Sequence, residues 1–306
     1  MILLGMTAFN GAFATSAQAL TPEHLTIFSV TGARDFYLYT PKGKRPSGLI
    51  VMLHGCKTTA EEFDQGTQMS AYATAKNYAV LYPEQSVLAN YDHCWNWFWG
   101  TETPIIAEGI KEMQVRFNID RSHTFLMGMS AGAAQGAILA NCNRDLFSGV
   151  LLHSGLQFLA ATNLDDANSA LEHGAYTSAA DAARTALTCN YTKDPMQFMI
   201  VHGTTDPRVN ILNDRQSAQE LINLNQLIAQ ENGRPATTTY STTTVPASDS
   251  KLGYIENDYF IDGIFTGTFL EVPGLVHEWS GGNPAQPRNN PNGPNVIEKF
   301  FQTFHL

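Results

Sequence analysis

The stretch FLMGMSAGAAQGAILA, residues 125–140, passes from apolar β-formers to small helix-formers, with one serine, Ser130, at the change. Its first half carries no turn residue until Gly128 and reads as a buried strand, while the alanine-rich second half reads as a helix. Gly128 and Gly132 flank the junction two residues either side of Ser130. Small residues at those positions suit a turn too tight for larger side chains. The hydroxyl would then stand at a helix N-terminus, where the dipole and free N–H groups favour negative charge.

Working outward, the same alternation recurs. SGLIVMLHG (47–55) reads as a strand, 59–76 as a helix with Glu61 and Glu62 in its first turn, and YAVLYPE (78–84) as a strand. TPIIAEGIKEMQVRFN (103–118) reads as a helix; SGVLLHSG (148–155), QFMIVHGTTD (197–206) and GTFLEVPGLVH (267–277) supply further strands. Upstream, HLTIFSV and RDFYLYTP form a hairpin about Thr31-Gly32-Ala33. Runs such as LIVML are apolar throughout, which calls for cover on both faces of the sheet. The expectation is an α/β chain, mostly parallel, with helices on both faces. The Thr-rich segment 235–250 has strand character, so one domain over 20–306 is favoured over a linker and a boundary.

Gly128-Met129-Ser130-Ala131-Gly132 fits G-x-S-x-G, the nucleophile elbow of the α/β-hydrolase fold. A serine nucleophile needs a base, and the base an orienting carboxylate, in chain order Ser, acid, His. Asp206 follows the strand ending in HGTTD, and His277 follows the last strand in PGLVHEW. Both lie just past carboxyl ends, where sites of open α/β sheets collect. Asp165, Asp166, Asp181, Asp194 and Asp214 lack that placement; His153 and His202, inside apolar strands, read as satisfied core histidines, and His305 as a terminal one. Two backbone amides should stabilise the oxyanion: that of Ala131, and that of Cys56 in LHGCKT.

Composition bounds the alternatives. The 306 residues are 43% hydrophobic and 15% charged, with formal net charge −10, which argues against nucleic acid or an anionic membrane as partner. Residues 1–19 carry no charge and end in Ala17-Gln18-Ala19, the mark of a secretory signal peptide, so the expected location is extracellular or periplasmic. Four cysteines behind such a signal suggest two disulfides, with three possible connectivities. No metal-binding spacing is present, and no cofactor, metal or obligate protein partner is expected.

LHGCKTTAEEF (53–63), YPEQ (82–85), CWNWF (94–98), GMSAGAA (128–134), HGTTD (202–206) and HEWSGG (277–282) occur in this order. In these pieces the chain resembles the polyhydroxybutyrate (PHB) depolymerase family of secreted esterases. HG and G-x-S-x-G are common to α/β-hydrolases; HGC paired with a downstream CWNWF is more specific. The resemblance implies hydrolysis of poly(3-hydroxybutyrate) or its oligomers by Ser130, Asp206 and His277. It also implies a Cys56–Cys94 disulfide, leaving Cys142 with Cys189. Three tryptophans in YDHCWNWFWG cannot all be buried in so polar a loop, so Trp95 and Trp97, with Trp279, are expected to wall the cleft for a neutral polyester. Two rivals remain: a feruloyl or acetylxylan esterase with the same chemistry, and a silent hydrolase-fold binding protein.

Overall fold

The computed structural model describes residues 20–306; the expected signal peptide, residues 1–19, lies outside them. A ten-stranded sheet organises the chain in the order β1-β2-β4-β3-β5-β6-β7-β10-β9-β8. Its centre is β4 (Tyr78–Pro83), β3 (Gly48–Leu53), β5 (Thr124–Met129), β6 (Gly149–His153), β7 (Gln197–Gly203) and β10 (Ile264–Val272). These six are mutually parallel. The antiparallel hairpin β1 (Glu23–Ser29) and β2 (Gly32–Tyr39) closes one edge, and β8 (Thr238–Val245) with β9 (Tyr254–Ile261) the other.

Side-chain alternation along the buried strands divides the core in two. Leu49, Val51 and Leu53 of β3 join Leu126, Leu152 and Ile200 on one face. That face packs on α3 (Thr103–Phe117), α4 (Ala131–Cys142), α5 (Leu164–His173) and α7 (Leu212–Glu231). Ile50 and Met52 join Phe125, Met127, Leu151 and Met199 on the other. There α1 (Ala60–Thr67), α2 (Met69–Ala75) and α8 (Val296–Thr303) cover the sheet. Both faces are therefore dry, which is why the central runs are apolar at every position rather than at alternate ones. The remaining helix, α6 (Ala179–Cys189), packs through Ala183 and Ala186 on Leu224 and Ile228 of α7.

Two elements depart from the sequence-based outline. The helix expected over 59–76 begins as anticipated, with a Thr59–Glu62 capping box worth about 1 kcal/mol. It then breaks at Gln68, whose φ of 60° ends α1 and starts α2, while the Asp64 carboxylate takes the Ser70 amide and hydroxyl (2.9 and 2.6 Å). The Thr-rich segment forms the exposed edge strand β8, paired with β9, a strand the sequence outline lacked. β9 reads YIENDYFI, whose mixed polarity reflects its largely half-buried place near the edge.

Candidate active site

Parallel strands deliver the ends of β3, β5, β7 and β10 to the same rim of the sheet, and the candidates for triad and oxyanion hole, with Trp279, each follow one of them. Ser130 lies between β5 and α4 with φ 56° and ψ −123°, a conformation that costs a non-glycine residue about 1–3 kcal/mol. Its amide donates to the His153 carbonyl (2.9 Å), and its carbonyl accepts from Ala134 (3.0 Å), so the turn is held at both ends. A Cβ on Gly128 would run into the backbone of Gly132. One on Gly132 would run into the carbonyls of Leu53 and His54, so the two glycines let α4 approach β3 and β5 closely. The serine itself remains partly exposed.

The structure brings Asp206 and His277 together, with His277 Nδ1 2.7 Å from Asp206 Oδ2. The Asp206 carboxylate is 1% exposed and also accepts from the amides of Arg208 (2.8 Å) and Val209 (3.0 Å). Burial would push its pKa up; the His277 hydrogen bond and charge, with those two amides, outweigh it and hold the group below the usual carboxylate range. The two loops are laced together. The Thr204 amide donates to Val272, and the Thr205 amide and hydroxyl both donate to the Leu275 carbonyl (3.3 and 2.9 Å).

A second histidine, given no role in the site by sequence reasoning, ties this pair to the elbow. His153 offers its carbonyl to Ser130, while its Nε2 accepts from the Ser280 amide (3.2 Å). Its ring stacks on Trp279 at 5.2 Å between centroids. The segment carrying His277 is thus anchored to the same residue that anchors Ser130. An Nε2 that accepts an N–H cannot carry a proton, and burial pushes the His153 pKa down to about 3. As anticipated, it is a satisfied neutral core histidine.

The loop after β3 is tethered on every side. Cys56 is bonded to Cys94 and Cys142 to Cys189, the pairing that the family resemblance implied. The Lys57 amide donates to Asp92 (2.6 Å), and Trp95 Nε1 donates to the His54 carbonyl (2.9 Å). One guanidinium nitrogen of Arg288 reaches the carbonyls of Cys56 (2.9 Å) and Lys57 (2.6 Å), from 232 and 231 residues away in sequence. The amides of Cys56 and Ala131 donate to no other group among the described residues. The buried His54 takes the Gln85 amide on Nε2 (3.1 Å); burial lowers its pKa to about 4 and keeps it neutral.

The tryptophans require a correction. Trp95, Trp97 and Trp279 are 0%, 8% and 1% exposed, so they do not wall a cleft. Trp95 is fixed by its bond to His54, and Trp279 lies between His153 and Phe63. The exposed member of the cluster is Trp99, at 60%, with its ring against Phe98.

Residues 35–244 match the family model described as Esterase PHB depolymerase. Poly(3-hydroxyalkanoate) depolymerase C of Paucimonas lemoignei is 27% identical over 203 residues, 63% of this chain; the match spans about half (49%) of that relative. Probable acetylxylan esterase A of Aspergillus clavatus is 25% identical over 271 residues, 80% of this chain and 87% of the relative. Among solved structures, an acetyl xylan esterase from Aspergillus awamori superposes with a TM-score of 0.69 at 17% identity, over 93% of this chain and 99% of that one. The fold is that of the α/β-hydrolases.

Proposed function

The chain belongs to the Esterase PHB depolymerase family, a family of carboxylic ester hydrolases, and from that premise we propose a serine esterase whose triad is Ser130, His277 and Asp206. The observation that carries this reading is the 2.7 Å bond from His277 Nδ1 to a buried, ionised Asp206, which leaves Nε2 to work on the hydroxyl presented by the elbow.

In the acylation step Nε2 takes the Ser130 proton as Oγ bonds to the ester carbonyl carbon. Asp206 holds the ring in the required tautomer and stabilises its cation. The carbonyl electrons move onto oxygen, which the Ala131 and Cys56 amides receive as hydrogen-bond donors. Collapse breaks the C–O bond to the leaving alcohol, which takes the proton from Nε2. Water then repeats the sequence on the acyl-enzyme, releasing the carboxylic acid and restoring Ser130. The disulfide, Trp95 and Arg288 keep the Cys56 amide in place beforehand, so no reorganisation is needed as charge develops.

For the substrate, the proposal is poly(3-hydroxybutyrate) or its oligomers. The family match, the P. lemoignei relative and the exposed apolar side chains Trp99, Leu88 (95% exposed) and Tyr91 (90% exposed) support a neutral polyester. A second reading, acetylated or feruloylated xylan, is favoured by the A. clavatus relative, which aligns over more of both chains than the depolymerase does. Product analysis separates them: release of 3-hydroxybutyrate or its dimer from amorphous polymer supports the first, and release of acetate or ferulate from xylan esters with an untouched polymer supports the second. Two disulfides suit an oxidising compartment, and we place the enzyme outside the cytoplasm on that ground.

A further inference from the structure

Three histidines are wholly buried at the ends of strands on this rim, and their hydrogen bonds divide them. His54 and His153 each use Nε2 to accept a backbone N–H, from Gln85 and Ser280, so neither can hold a second proton. His202, the last residue but one of β7, has no donor facing it among the described residues. Its Nε2 is 2.9 Å from the Val209 carbonyl, which can only accept, so Nε2 carries a proton. Its Nδ1 is 2.8 Å from Asp214 Oδ2 at the start of α7. That same Oδ2 also accepts from the Gly155 amide (3.1 Å), as a carboxylate oxygen shared between two donors would. The other oxygen, Oδ1, has no hydrogen-bond partner among the described residues. With Asp214 as a carboxylate, both nitrogens of His202 are donors, Nδ1 to Oδ2 and Nε2 to the Val209 carbonyl.

His202 Nε2 is also 3.6 Å from Asp206 Oδ2, the oxygen that faces His277. The Val209 amide donates to Asp206 Oδ1 while the Val209 carbonyl receives His202, so one residue links the ring to the carboxylate. We propose that His202 is a resident imidazolium, locked between Asp214 and the Val209 carbonyl, that positions Asp206 and balances its charge from behind. It is a positioning residue and touches no reacting atom, and the proposal rests on the triad reading given above. Burial opposes the charge, but the Asp214 hydrogen bond and the charges of Asp214 and Asp206 outweigh it and raise the His202 pKa. The other titratable groups facing it do not supply that charge. His153 on β6 is neutral, and Glu271, its register neighbour on β10, is turned to the Arg215 guanidinium of α7 (3.1 and 2.8 Å).

The consequence is a three-member charge chain, Asp214⁻, His202⁺, Asp206⁻, behind His277. In His202→Asn protein two buried carboxylates would act on the base without the cation between them, so the base would stay protonated to higher pH. In the double variant His202→Asn with Asp214→Asn the lost charges cancel. Two measurements test this. Nitrogen NMR of histidine-labelled Ser130→Ala protein reads protonation without catalysis or any change at position 202. One of the nine histidines should keep both ring protons at a pH where the exposed rings have lost theirs. Nine neutral rings at that pH would overturn the proposal. In kinetics on a soluble aryl ester, His202→Asn should move the acid limb of kcat/KM upward by about one pH unit, and the double variant should return it. A limb that stays in place in His202→Asn protein, with only a uniform loss of kcat, would also overturn it. The triad reading fails separately, by turnover that persists in Ser130→Ala enzyme.

Discussion

Glu220 offers a perturbation whose size follows from its surroundings. It lies on α7, wholly buried, with Oε2 only weakly bonded to Asn141 Nδ2 (3.4 Å) and Oε1 without a partner among the described residues. The neighbouring buried Arg144 does not rescue it, because that guanidinium is spent on the carbonyls of Asn141, Ala186 and Asn190. Burial therefore dominates, and the Glu220 pKa is pushed up to about 8 against an ordinary 4.5. A carboxyl whose folded-state pKa is raised favours folding fully only below its unfolded pKa. Between pH 4.5 and 8 the unfolded chain ionises it and the folded chain does not, so stability falls as pH rises, by about 1.4 kcal/mol per unit. Glu220→Gln removes this penalty while keeping the shape. The variant should match the parent near pH 4.5, exceed it by about 3 kcal/mol at pH 7, and level off near 5 kcal/mol above pH 8. Urea unfolding of both proteins at pH 5, 7 and 9, with disulfides intact, reads the difference from the midpoints. A pH-independent difference, or one that shrinks as pH rises, would refute the reasoning.

Other outcomes follow from the rim. Replacing Cys56 and Cys94 together by serine opens a loop of sequence separation 38. In the chain-entropy model this should cost about 4 kcal/mol, with a fall in kcat as the oxyanion loop loosens; an unchanged urea midpoint would contradict it. Gly132→Ala drives a methyl into the Leu53 and His54 carbonyls and should lower stability and turnover together; a fully active variant with parental melting would show that α4 can give way. Asp206→Asn removes the carboxylate that fixes the His277 tautomer and should reduce kcat by about 10⁴-fold, with KM for a soluble ester little changed.

How far the site could be read in advance depended on whether its cause was local. The steric need at Gly128 comes from the Gly132 backbone four residues on, and the strand-to-helix change around Ser130 is local, so the elbow shows in the sequence even though Gly132 answers to Leu53 and His54 on β3. Asp206 and His277 were found because a parallel strand announces its own carboxyl end, whichever strand lies beside it. The tryptophans misled because burial is decided by remote partners. Trp95 is claimed by the His54 carbonyl, Trp279 by Phe63 and His153, and only Trp99 is left outside. Asp214 reads as one more acid in a polar stretch; only the fold buries it against the His202 ring on β7. Arg288 carries no motif, and its hold on Cys56 depends on the return of the chain from β11 (Trp279–Ser280), which pairs with β12 (Asn289–Asn290). The break at Gln68 is likewise invisible in a helical pattern, since it follows from the Asp64 carboxylate binding Ser70 and the Tyr82 hydroxyl (2.7 Å).

The central claim is that the Ser130 hydroxyl is the group acylated. The direct measurement is mass spectrometry of the protein after brief reaction with a fluorophosphonate ester, alongside kcat for Ser130→Ala enzyme on a soluble ester. The account predicts one adduct, on the peptide containing Ser130, and a fall in kcat of about 10⁴-fold or more. An adduct on another residue, or turnover retained in the alanine variant, would contradict it.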